Sequence, residues 1–146
     1  MFFLKELPTH QMLEKYQKRF PKMNVESVET ALHLLRNASL LMRELDTYFA
    51  SQKLSQLRFL ILIVLDRESS SNGLMASEIA ARLDVTRPLT TRTLQTLKED
   101  GLLKFAVHSE DGRAKLVTLT TKGRHILNKV LPGYYCVIEE FMSVSQ

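Results

Sequence analysis

Apolar positions recur at three- and four-residue spacing through most of this chain and give way to short alternating runs only around residues 102–120. The longest periodic stretch follows Asn24, a suitable N-cap, and predicts a helix to about Ala50, roughly 40 Å long. Val28, Leu32, Leu35, Ser39, Met42, Leu45 and Phe49 form one stripe of it. Leu34, Leu41 and Tyr48 form a second apolar row on another side. A single small domain rarely needs two buried faces on one helix, so the second row predicts a partner subunit.

The other elements follow from caps and breakers. Pro8-Thr9 opens a short helix that Pro21 stops. Ser55 caps a third helix, Gln56 to about Arg67, and Ser69 to Gly73 is a loop. A short helix over Ser77 to Leu83 turns Ile79, Ala80 and Leu83 inward, and Asp84-Val85 makes a tight turn. Thr86 caps the next helix, Pro88 sits in its first turn where the missing N–H costs nothing, and Gly101 ends it. Leu102 to Val107 and Lys115 to Thr120 read as strands around the polar tip 109–112. Thr121 opens a last helix, which Pro132-Gly133 is expected to interrupt before Tyr134 to Met142 resumes it.

This order predicts a mainly α chain with a small β-wing, a winged helix-turn-helix flanked by terminal helices. The expected division is a single domain in three parts. Residues 1–52 form an arm and dimerisation helix, 53–122 the winged helix-turn-helix lobe, and 123–146 the C-terminal dimerisation helices.

Charge sharpens the picture modestly. The chain has 146 residues and a formal net charge of +4. Between Leu74 and His125 nine basic residues stand against six acidic ones, and no acid lies between Thr86 and Lys98. Such a field suits a polyanion, although a solvated helix face accounts equally well for the charge alone. The single cysteine, Cys136, permits no disulfide within the chain and suits a reducing compartment; in its apolar helix it reads as a core residue. The apolar start is too short for a signal peptide and no apolar run reaches membrane-spanning length, so a cytoplasmic protein without membrane association is expected. The six methionines stand mostly at helical core spacing and read as core filler.

Candidate chemistry concentrates in the second helix of the turn and in the wing. Leu94 and Leu97, with Thr90 one turn earlier, supply a packing face. Arg87, Leu89, Thr91, Arg92 and Gln95 remain on or near the other side. Arginine can donate two bonds to guanine, Thr and Gln can meet phosphates or base edges, and Leu89 can touch a thymine methyl. Thr86 stands at the cap of the same helix, and Ser77 can offer its hydroxyl and backbone N–H to a phosphate. In the wing, Arg113 suits a narrow minor groove, Asp111 can steady its guanidinium, and Lys115 adds charge. Taken alone, the wing reads as an ordinary surface hairpin; its place after a capped Thr/Arg helix changes that reading.

Leu54-Ser55 with Phe59 and Leu62, then SEIAARLDVTR, TTRTLQTLKEDGLL, EDGR and LTTKGR, resemble the MarR family of bacterial transcriptional regulators over about Leu54 to Leu127. Ser77, Thr91-Arg92, Asp111-Gly112-Arg113 and Leu119-Thr120-Thr121-Lys122-Gly123 occupy the family's characteristic places. The resemblance implies a symmetric homodimer on a palindromic site in double-stranded DNA, with a recognition helix in each major groove and a wing in the adjacent minor groove. The terminal helices would interlock as the dimer body. It further implies repression relieved by a small phenolic or anionic ligand, with no cofactor. Gly112, Pro88, Leu89 and Thr90 depart from the family pattern, and Thr90 is expected to loosen the helix slightly. Oxidant-sensing members carry a cysteine near the start, and urate-responsive members a tryptophan in the pocket; both are missing here.

Rival readings are an enzyme, an activator, and a winged helix used for protein contacts or as an anti-repressor. Catalysis finds no support, since the chain has no Gly-rich phosphate loop or nucleophile elbow, and Glu139-Glu140 point in different directions. His10, His33, His108 and His125 lack metal-ligand spacing. Arg92 and Arg113 argue for DNA over protein contacts, while the sign of regulation does not follow from a DNA-reading surface.

Overall fold

The computed structural model describes residues 2–68, 72–107 and 112–145. The elements run α1 (His10–Arg19), α2 (Val25–Ser51), α3 (Gln56–Asp66), β1 (Leu74–Met75), α4 (Ala76–Ala81), α5 (Arg87–Glu99), β2 (Leu103–Val107), β3 (Lys115–Leu119) and α6 (Thr121–Val144). The chain divides into two compact units, Met1–Leu45 with Val137–Gln146, and Asp46–Cys136.

In the first unit, α1 starts at Thr9, whose hydroxyl accepts from the Met12 N–H at 3.2 Å. Asn24 caps α2 in the same way, its Oδ1 accepting from the Ser27 N–H at 2.8 Å. His10 links the two helices, with Nδ1 2.8 Å from Glu29 and Nε2 3.1 Å from Glu14. A neutral imidazole can donate to only one carboxylate, so both contacts together call for the imidazolium. The pKa of His10 is accordingly raised, chiefly by the hydrogen bond to Glu29. Most of the large apolar side chains left exposed belong to this unit, among them Phe3, Tyr16, Phe20, Leu34, Leu35 and Val144.

The second unit is built on α3, buried along Phe59, Ile61, Leu62, Val64 and Leu65. Phe49 and Tyr134 flank Phe59, each with its ring centroid 4.7 Å away. The antiparallel sheet has the order β1-β3-β2. Leu103 pairs with Leu119 and Phe105 with Val117, so alternation turns Leu103, Val117 and Leu119 into the core. Strand β1 was not expected. It pairs Leu74 with Val117 and Met75 with Leu116. Gly73 makes this approach feasible: its φ is +87°, and a Cβ there would stand 2.2 Å from the Val117 carbonyl oxygen.

Three further expectations need correction. Helix α6 runs unbroken through Pro132. The proline withholds a donor from the Asn128 carbonyl, but packing holds the helix nearby. The Tyr48 hydroxyl donates to the Val130 carbonyl at 2.6 Å, and Gly133 leaves room for the Tyr48 ring. Cys136 is exposed rather than buried. It lies two residues, about 200° around the helix, from the inward-facing Tyr134. Among the methionines, Met12 and Met142 are exposed and fill no core within this chain.

Candidate nucleic-acid interface

Helix α5 is set into the second unit by its buried side. Leu94 and Leu97 are buried, and so is Thr90. The Thr90 hydroxyl donates to the Thr86 carbonyl at 3.1 Å, so this buried polar group is satisfied. The Thr86 hydroxyl accepts from the Leu89 N–H at 3.4 Å and so caps the helix. Thr91 and Thr93 donate back to the carbonyls of Arg87 and Leu89. That bond fixes the Thr91 hydroxyl while leaving its oxygen able to accept.

The far end of α5 is closed by its own backbone and held by two cross-links from the start of α6. Gly101, at φ +76°, closes the helix, with the Leu102 N–H donating to Leu97 and the Gly101 N–H to Lys98. The Thr120 hydroxyl donates to the Gly101 carbonyl at 2.6 Å and accepts from the Gly123 N–H at 3.0 Å. Lys122 Nζ donates to the Asp100 carbonyl at 2.8 Å. The Leu-Thr-x-x-Gly stretch therefore fastens the start of α6 to the end of α5. Its glycine is required because a Cβ at Gly123 would stand 2.2 Å from the Leu102 carbonyl oxygen.

Beside α5, a cleft of about 410 Å³ opens toward the wing. Ser77, Arg87, Thr91, Gln95, Arg113 and Lys115 line it, above an apolar floor that includes Leu94, Phe105 and Val117. Six of the expected DNA-binding residues, drawn from α4, α5 and β3 with the segment before it, thus share one concave surface. Arg87, Thr91, Gln95, Arg113 and Lys115 are exposed, while Ser77 is half-buried. Thr86, the N-cap of α5, and Leu89 and Arg92 on it lie outside the cleft lining and are also exposed. Asp111 lies outside the described residues, as do Glu110 and His108. The residues missed in the sequence are Phe105, whose ring lies 4.9 Å from Lys98 Nζ, and the cross-links to Thr120 and Lys122. A larger cleft of about 540 Å³ contains Asp66, Glu68, Lys104 and Arg124 but none of the expected DNA-binding residues.

Among the described residues no helix is long and apolar enough to cross a membrane, and no three His, Cys, Asp or Glu side chains gather as a metal site.

A capped helix seated by one face, with a hydrogen-bonded hairpin beside it, defines a winged helix-turn-helix protein. The family model of the MarR family matches residues 53–114. The chain is 30% identical over 139 residues to the HTH-type transcriptional repressor YetL of Bacillus subtilis, an alignment spanning 95% of this chain and 83% of YetL. It belongs to the MarR family. A shorter likeness, 29% over 76 residues, is to the transcriptional activatory protein BadR of Rhodopseudomonas palustris, covering 52% of this chain and 43% of BadR. Among solved structures, the transcriptional regulator MosR of M. tuberculosis in complex with DNA is similar at a TM-score of 0.62 and 31% identity, over 75% of this chain and 77% of that one. Sco3205, a MarR-family regulator of Streptomyces coelicolor also in complex with DNA, shares the fold at a TM-score of 0.74 and 21% identity, over 82% of this chain and 74% of that one.

Proposed function

We propose that this regulator is a cytoplasmic homodimeric repressor that reads a palindromic operator with α5 and the wing. The observation that carries this reading is the convergence of Ser77, Arg87, Thr91, Gln95, Arg113 and Lys115 on one cleft between those elements. In this reading Arg87 and Arg92 donate to base edges in the major groove, with Thr91 and Gln95 beside them and Leu89 against a thymine methyl. Ser77 and Lys115 hold phosphates, and Thr86 sets the start of the reading helix. Arg113 enters the minor groove, steadied by Asp111.

The exposed apolar side chains of the first unit support the homodimer, with residues 1–52 and 123–146 as the dimer body and 53–122 as the winged helix-turn-helix lobe. Repression is favoured over activation because the relative spanning 95% of this chain, YetL, is named a repressor, whereas the one named activatory matches about half of it. Release by a small phenolic or anionic ligand completes the proposal and rests on the family resemblance.

Selection of bound sequences from a random duplex pool tests it. The expected result is a palindrome with half-sites about one helical turn, roughly 10 bp, apart. A pool that returns without enrichment would overturn the reading.

A further inference from the structure

Arg58, in the first turn of α3, reaches 38 and 42 residues along the chain to the end of α5. Its Nη1 donates to Thr96 Oγ1 at 3.2 Å and its Nη2 to Asp100 Oδ2 at 2.6 Å. The arrangement is a poor stabiliser. The Arg58 guanidinium opposes the dipole of α3 but favours that of α5, whose end it meets, while Asp100 opposes the dipole of α5, so the helix dipoles give little net gain. The carboxylate is 59% exposed, where an ion pair contributes little. Arg58 Nε is buried with no hydrogen-bond partner among the described residues.

What the contact does supply is geometry. A planar guanidinium bound to two groups one helical turn apart resists both rotation of α5 and its slide along α3. Helix α5 has 13 residues and is about 20 Å long. A tilt of about 10° at its end would move its start by roughly 3 Å, more than a hydrogen bond tolerates.

We infer that Arg58 is a positioning residue that sets base specificity by fixing the angle at which α5 meets DNA. The inference rests on the reading that α5 enters the major groove. The test measures binding of the full-length protein to its selected duplex and to a scrambled duplex at one salt concentration, alongside thermal unfolding. Arg58→Gln and Asp100→Asn should each lower the ratio of the two affinities about tenfold or more while leaving scrambled binding within about twofold. The double variant should be little worse than either single one. Arg58→Lys, which keeps the charge but not the fork, should keep the wild-type unfolding temperature and still lose the ratio. Should Arg58→Gln not fold, Asp100→Asn decides alone, since its carboxylate is exposed. Arg92→Ala tells the two failures apart. A wild-type ratio in Arg58→Gln and Asp100→Asn beside a collapsed ratio in Arg92→Ala overturns the positioning role alone. A wild-type ratio in all three overturns the reading face and the positioning role with it.

Discussion

The Thr120 hydroxyl donates to the Gly101 carbonyl at 2.6 Å, tying the residue that closes α5 to the residue just before α6. The joint is tight because Gly123 lies against the Leu102 backbone. An added Cβ would meet a carbonyl oxygen, which cannot swing aside as a side chain can. Gly123→Ala should therefore destabilise the protein by about 2–3 kcal/mol, within the range for overpacked sites. Urea unfolding checks this, and a midpoint equal to wild type would mean the joint has slack.

Tyr48 contributes differently to the helix around Pro132. Burial raises its pKa further above 10.0, so the phenol remains a donor to the Val130 carbonyl across ordinary pH. Tyr48→Phe keeps the ring against Gly133 and removes only that bond. A loss of about 0.5–1.5 kcal/mol is expected by chemical denaturation. A loss above about 3 kcal/mol would show that the hydroxyl, rather than the packed ring, carries α6 past the proline.

Neither contact has a local signature in the sequence. Helix α5 was legible because its signals are local: Thr86 caps it, Gly101 ends it, and Leu94 and Leu97 repeat on one face. Strands β2 and β3 announced themselves by alternation. Strand β1 did not, since two residues carry no period and its pairing with β3 lies some 40 residues away in sequence. Pro132 misled because the local rule for proline is strong, and the Tyr48 contact comes from another helix. Arg58 carried no signal at all, as its partners lie in a helix with unrelated periodicity. The cleft was legible as a set of residue types but not as a surface, because only the sheet register brings Arg113 and Lys115 beside α5.

Lys53 occupies the position in the α2–α3 turn that Gly101 occupies after α5. Both close their helix with paired backbone bonds, from the Leu54 N–H to Phe49 and from the Lys53 N–H to Ala50 in the first case. Lys53 does so at φ +58°, in the left-handed region that a Cβ disfavours. Lys53→Gly should stabilise the protein by about 0.5–1 kcal/mol, the relief of strain exceeding the added entropy of the unfolded chain. A lower unfolding midpoint would show that the lysine side chain makes a contact worth more than the strain.

The His10 bridge predicts a pH dependence in the first unit. Its folded pKa is raised, so its stabilisation is fully present below the unfolded value of 6.5 and disappears as pH rises through the raised value. Amide exchange in α1 should therefore quicken, relative to the intrinsic rate, as the solution moves from slightly acidic to alkaline. His10→Ala should abolish that trend. A pH profile unchanged by the substitution would assign the trend to another group.

Arg92 and Lys115 should fail in different ways when removed. If Arg92 reads a base, Arg92→Ala costs about 1–3 kcal/mol in binding and relaxes preference at one position per half-site, with the salt dependence little altered. If Lys115 holds a phosphate, Lys115→Ala weakens selected and scrambled duplexes alike and lowers the slope of log affinity against log salt by about 1 per half-site. Titrations at several salt concentrations separate the two, because a base contact changes which sequence is bound and a phosphate contact changes how many counterions are released. Identical salt slopes and identical sequence preference in both variants would mean that neither side chain touches DNA, and the reading surface would have to be sought elsewhere on the winged-helix lobe.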